Sequence, residues 1–259
     1  MGIEKTKIWL EEHFDEPINI CSRLVASSNK EDAVELYDYL VSFGMYQPNT
    51  TSREMFHQLK DEDSWSKVEN IYMKYKVKWS GPDIPVYIFP MRRTRYSKID
   101  HKSGVSFANK MFLFLTPLLD VRELEALIVH EYHHICRLKY LTKPYHEFTL
   151  LDSILMEGFA EYAVTKFCGK NYNAKWTSYY NDEELEYFWE KYLMKNLRAK
   201  KTEPIHDAIL FGKGRFPDLM GYAAGYQIIN LLSKKKTFTF RETFTIKEDE
   251  VMKVLDSLF

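Results

Sequence analysis

The sequence predicts an α+β fold that is mostly helical. Three observations carry that expectation. Glycine and proline are sparse, 10 and 9 of 259 residues, which disfavours a turn-rich all-β architecture. Apolar residues recur at helical spacing, as Ala33, Val34, Leu36, Tyr37, Leu40 and Val41 do within residues 30–45. Two short β-rich runs, "VYIFP" and "MFLFL", precede a long helical stretch, so strands and helices are segregated along the chain.

Taken in order, residues 3–14, 30–45 and 52–76 each read as an amphipathic helix, the last preceded by the capping residues of "NTTSREMF". The cluster "SGPDIP" is a turn and marks a boundary between a helical region, residues 1–80, and the rest, residues 81–259. "VYIFP" is a first strand. "SGVSFANKMFLFLTP" is a longer strand region over about residues 103–115, bracketed by Gly104 and Pro117. From Asp120 to Tyr140 the pattern is helical, with Asp120 and Glu123 spaced as a capping box and Lys143-Pro144 as a stop. A helix over 149–168 follows, with Thr149 as its cap and Gly169 as its terminator. Asn181 caps the next, "GYAAGYQIINLL" lies in another, and a shorter helix falls near 247–258.

Composition excludes several classes of function. A content of 45% hydrophobic and 28% charged residues suits a soluble globule with a core of its own. The net charge of −1 argues against nucleic acid or an anionic membrane as a partner. Cys21, Cys136 and Cys168 are an odd number at wide spacings with no CxxC pair, so neither a disulfide framework nor a cysteine zinc site is expected. The segment "MGIEKTKIWLEEHF" lacks the apolar core of a signal peptide, and no apolar run is long enough to span a bilayer. A cytoplasmic location is the simplest expectation.

Chemistry concentrates in "IVHEYHHICRLKYL", residues 128–141. His130-Glu131-Tyr132-His133-His134 matches H-E-x-x-H. On a helix, positions i and i+4 share a face, so His130 and His134 can direct two imidazole nitrogens at one Zn²⁺. Glu131 lies beside that face, placed to take a proton from a water that the metal activates. Helical histidines are often ordinary core or surface residues. The apolar approach "LEALIV" sets this cluster apart from a merely solvated one.

A catalytic zinc site needs a third protein ligand and an open position. "LMEGFAEYA" offers Glu157 and Glu161, four residues apart on one helical face. One carboxylate can bind metal while the other accepts a hydrogen bond from a ligand histidine. Gly158 between them costs helix propensity of about 1 kcal/mol, which close packing against the motif helix would explain. His133 is expected to be structural or at the surface, and Cys136 to point to a different side of the helix. Tyr222, Tyr226 and His206 are candidate donors to an oxyanion. Tyr222 is preferred for the neighbouring Gly221, where a substrate backbone could approach closely.

"HEYHH" followed by "MEGFAEYA" resembles the gluzincin metallopeptidases, and more specifically the bacterial DUF2268 family of predicted zinc-dependent proteases. The stronger part of the resemblance spans roughly residues 80–230. It implies a gluzincin-like zincin core within residues 81–259: a small β-sheet, the HExxH helix and a downstream Glu-bearing helix. It also implies His130, His134 and Glu157 as metal ligands, Glu131 as general base and Zn²⁺ as cofactor. Glu161 stands where many gluzincins carry an Asp that supports the ligands. The implied activity is hydrolysis of peptide bonds in a peptide or protein substrate. The edge strand before the motif helix would pair with the substrate backbone. The alternative is a catalytically silent, zinc-stabilised binding or regulatory protein. An intact Glu131 favours the enzyme, since a purely structural site has no use for a general base.

Overall fold

A computed structural model describes residues 2–25, 29–92, 102–117, 120–141 and 143–255. The chain forms two compact units, Met1–Ile135 and Cys136–Phe259. Residues 81–135, which the sequence grouped with the downstream chain, lie in the first of them.

The first unit opens with helices α1 (Thr6–His13), α2 (Pro17–Ser22), α3 (Lys30–Ser42), α4 (Thr50–Asp61) and α5 (Ser64–Trp79). The single helix expected over 52–76 is broken in two. Asp63 sits in the left-handed region at φ 52°, a conformation that cannot continue a right-handed helix, and its carboxylate accepts from the Ser66 hydroxyl. Asn49 caps α4 through a reciprocal pair with Ser52. The α2 helix, begun by Pro17 at its first turn, had no periodic signal in six residues.

Three strands follow: β1 (Val86–Pro90), β2 (Lys102–Phe107) and β3 (Lys110–Leu115), in the order β1-β3-β2. The region read as one long strand is therefore a hairpin turning at Ala108-Asn109, and β2 pairs antiparallel with β3. β3 is central and buried, parallel to β1. β2 is a margin of the sheet, and among the described residues no strand pairs with its other side.

Alternation along β2 sends successive side chains to opposite faces. Ser103 donates to the Phe43 carbonyl beyond α3 (2.7 Å), and Phe107 packs against Tyr39. Lys102 and Ser106 face the next helix, α6 (Val121–Tyr140), bonding Glu123 and Glu131. Asp120 caps α6 through the Arg122 N–H (2.8 Å), while the Glu123 carboxylate pairs with Lys102. On its other side α6 is backed by α5. Tyr75 donates to Glu125 (2.8 Å), Trp79 stacks on Tyr132, and Tyr132 donates to the Pro82 carbonyl (2.9 Å). The N-terminal helices thus support the sheet and the motif helix within one unit.

The second unit holds the last turn of α6, then α7 (Leu150–Phe167), α8 (Asp182–Phe188), α9 (Pro204–Phe211), α10 (Met220–Lys235), α11 (Glu242–Thr245) and α12 (Glu248–Leu255). Thr149 caps α7 as expected, in a reciprocal box with Asp152. Asn181 caps α8 with Glu184. The continuation of α8 widens into a π turn at Trp189–Leu193, where the fully buried Trp189 donates to Gln227 of α10 (3.2 Å). Of the helix expected over 247–258, residues 256–258 lie outside the described residues.

α7 is buried on nearly every side, the mark of a central core helix. Its closest neighbour is α10. A Cβ on Gly158 would stand 2.2 Å from the Gly225 carbonyl oxygen, and one on Gly225 would stand 2.2 Å from the Ile154 oxygen. The partner that explains Gly158 is therefore α10, where the sequence suggested the motif helix. Two backbones in direct contact tolerate no side chain between them.

Near the start of α7, the Lys143 ammonium lies 2.6 Å from Asp152 and 3.0 Å from Glu248. Burial and the adjacent Asp152 carboxyl push Glu248 up to about 7. Asp152 is also raised by burial, but hydrogen bonds from Glu248, Lys143 and the Thr149 N–H hold it below its ordinary value. A carboxyl whose pKa is higher in the folded state binds its proton more tightly there. Its contribution to stability therefore falls as pH rises from 4.5, its ordinary value, to about 7. Asp152 acts oppositely, losing stability only as pH falls below 3.8. Glu248→Gln should raise the melting temperature at pH 8 and lose that advantage at pH 5. Thermal melts at both values check this, and an equal shift at both would reject it.

Candidate metal centre

α6 carries His130 and His134 one turn apart, so their rings converge. Their Nε2 atoms are 3.1 Å apart and the ring planes stand at 85°. Two nitrogens each about 2.0–2.1 Å from one zinc, separated by the tetrahedral angle, would stand about 3.3–3.4 Å apart. The observed spacing is close to that. Glu157 on α7 completes the group: one ligand atom from each of His130, His134 and Glu157 lies within 4.8 Å of the others. Two imidazoles and a carboxylate form a donor set characteristic of catalytic zinc sites. The residues present fit the metal.

Glu161, the other carboxylate the sequence offered, is buried, and its Oε1 accepts from the Asn173 amide (2.8 Å) and the Ala174 N–H (2.6 Å). Asn173 also donates to the Glu161 carbonyl (3.0 Å). Tyr226 extends this network. Its hydroxyl shares a hydrogen bond with Thr165 (3.0 Å) and donates to Asn173 Oδ1 (3.3 Å).

Glu131 is 6% exposed. Ser106 of β2 donates to its Oε2 (2.6 Å) and lies 3.0 Å from its carbonyl oxygen. Gly104 lies directly against it: a Cβ there would be 2.7 Å from the Glu131 Cγ and Cδ. His133 is fully buried, its ring edge-on to Trp79. It is a core residue, one of the two placements expected for it.

The downstream candidates separate clearly. His206 is fully buried, with Ser153 2.9 Å from Nε2 and Asp207 2.9 Å from Nδ1. Both its nitrogens are engaged in the interior of the second unit. Tyr222 is half-buried and packs against Trp176 and Phe211.

Three contributors escaped sequence reasoning. Gly104 had a signal, because a glycine inside a strand often marks close approach of another group. Ser106 and Asn173 had none, since their partners lie 25 and 12 residues away with no spacing rule linking them.

The family description "Predicted Zn-dependent protease (DUF2268)" matches residues 64–253. The chain belongs to the DUF2268 family. The match begins at α5 and runs into α12, so it takes in the whole sheet, both histidines and Glu157. The chain is also 35% identical over 234 residues to "Uncharacterized protein YjaZ" of Bacillus subtilis (strain 168), covering 88% of this chain and 90% of the relative. No solved structure matches the chain. Among the described residues, no helix is long and apolar enough to cross a membrane.

Proposed function

We propose that the protein is a zinc-dependent peptidase with Glu131 as general base. The observation that carries this reading is the gathering of His130, His134 and Glu157 within 4.8 Å, with the buried Glu131 next to the first of them. The family description, a predicted Zn-dependent protease, supports it.

His130, His134 and Glu157 would hold the metal. When bound, Zn²⁺ supplies a Lewis acid that acidifies a water molecule and polarises a peptide carbonyl. Glu131 takes a proton from the attacking water as its oxygen bonds to the carbonyl carbon. It then delivers that proton to the departing amine as the C–N bond breaks. Tyr222 is the candidate donor to the developing oxyanion. Its rival Tyr226 already engages Thr165 and Asn173. The outer margin of β2 offers a substrate main chain a strand to pair with, next to the strand residues that touch Glu131.

Purified protein should carry about one zinc per chain and cleave members of an unbiased peptide library. Chelation should stop cleavage, and added zinc should restore it. Zinc binding with no cleavage of any peptide would leave a zinc-stabilised binding protein instead.

The two carboxylates can be ranked. Glu157→Ala removes a ligand, whereas Glu161→Ala removes a group whose carboxylate is tied to Asn173 and Ala174. Loss of a supporting partner typically costs about 10–100-fold in metal affinity. Glu157→Ala should exceed that in a chelator competition. The reverse order would exchange the two roles.

A further inference from the structure

We infer that Ser106 is the positioning residue of Glu131 and that Gly104 provides the space in which it works. This rests on the reading of Glu131 as general base. Ser106 has one hydroxyl proton and two acceptors in reach, the Glu131 Oε2 at 2.6 Å and its carbonyl at 3.0 Å. The shorter contact goes to a carboxylate, which makes the stronger bond. One carboxylate oxygen is thereby committed to the strand. In our reading the other, Oε1, takes the proton.

Gly104 acts on the same side chain from the same face of β2. An added Cβ would meet Glu131 Cγ and Cδ at 2.7 Å and Oε1 at 2.8 Å. Those atoms belong to a side chain and not to the main chain, so the clash is relieved by rotating Glu131 about its Cα–Cβ bond, which carries the carboxylate away. Gly104→Ala therefore displaces the base at little cost to the fold. Ser106→Ala removes the hydrogen bond that holds Oε2. The strand that borders the substrate groove in our reading is also the strand that sets the angle of the base.

Acetohydroxamate provides the test, because it chelates zinc while its hydroxyl hydrogen-bonds to a correctly held general-base carboxylate. Its dissociation constant is measured on zinc-loaded full-length protein, for wild type, Ser106→Ala, Ser106→Thr and Gly104→Ala, each in the Glu131 and the Glu131→Gln background. Zinc affinity is measured in parallel by chelator competition.

Ser106→Ala and Gly104→Ala should weaken acetohydroxamate by about 10-fold, in line with the effect of removing a supporting hydrogen bond. Zinc affinity should stay close to wild type, because the Ser106 hydrogen bond goes to Glu131 and not to a ligand atom. Ser106→Thr should restore binding, since it keeps the hydroxyl. In the Glu131→Gln background Ser106→Ala should have no effect.

An equal loss in both backgrounds, an unchanged acetohydroxamate constant, or a parallel loss of zinc would overturn the inference. Wild-type protein that shows the expected pattern yet cleaves no peptide would sink the peptidase reading while the positioning role stands.

Discussion

Glu131→Gln should lower kcat for peptide cleavage by about 10²–10⁴-fold, the usual contribution of a general base, and leave zinc content at one per chain. The amide has nearly the shape of the carboxylate and can still accept the Ser106 hydrogen bond now made to Oε2 at 2.6 Å. It cannot take a proton from water, so it loses a step rather than a contact. His130→Ala and His134→Ala should behave differently. Each removes one of three ligand atoms gathered within 4.8 Å, and a two-ligand remainder is a poor site. Zinc should be lost in these variants, and activity with it. Elemental analysis alongside single-turnover cleavage separates the two cases. Near wild-type cleavage by Glu131→Gln would assign the proton transfer to another group.

Gly158→Ala should destabilise the protein by about 1–3 kcal/mol, the usual range for overpacking. The gain in helix propensity on replacing glycine, about 1 kcal/mol, works against the clash, but a 2.2 Å approach to a main-chain oxygen puts the clash in the upper part of that range, so a net loss remains. The added methyl would meet the Gly225 carbonyl oxygen at 2.2 Å and its carbon at 2.5 Å. Both are main-chain atoms in the middle of α10, so neither can swing aside, and the two helices must part. Gly225→Ala makes the converse clash with the Ile154 oxygen at 2.2 Å. Because one separation relieves both, the double variant should cost less than the sum of the two single ones. Denaturant titrations of all three measure this. Glu157 precedes Gly158 on the same helix, so zinc affinity should fall in Gly158→Ala as well. A stability equal to wild type would mean that the helices are not in backbone contact.

Much of the fold could be read from the chain because its signals were local. Thr149 and Asn181 cap the helices they were assigned to, since a side chain three residues from its backbone partner needs nothing distant to act. His130 and His134 converge for the same reason, at a spacing the helix itself imposes. What escaped depended on partners far away or on turns without a glycine signature. The hairpin between β2 and β3 turns at Ala108-Asn109, a pair without the Asn-Gly or Asp-Gly preference of tight hairpins. Asp63 interrupts α4 and α5 without glycine or proline to announce it. Gly158 was legible as a close contact, but its partner lies 67 residues on, and nothing local distinguished α10 from the motif helix. Spacing alone left Glu157 and Glu161 alike and only the resemblance favoured Glu157; the partners of Glu161, Asn173 and Ala174, lie 12 and 13 residues beyond it with no local signal to mark them.

Arg137, in the last turn of α6, is 2% exposed. Its guanidinium donates to the Thr243 carbonyl (2.8 Å) and the Ile246 carbonyl (2.9 Å), and lies over the Phe159 ring. Burial lowers its pKa only to about 10, so it stays charged. Ile246 follows it by 109 residues. A ribosome adding about 5–20 residues per second makes Arg137 roughly 5–20 s before Ile246 exists. Throughout that interval the cation must remain in water, and the helices that will enclose it cannot close. The second unit therefore completes its folding only after residues 243–246 have been synthesised, however early its core helices emerge.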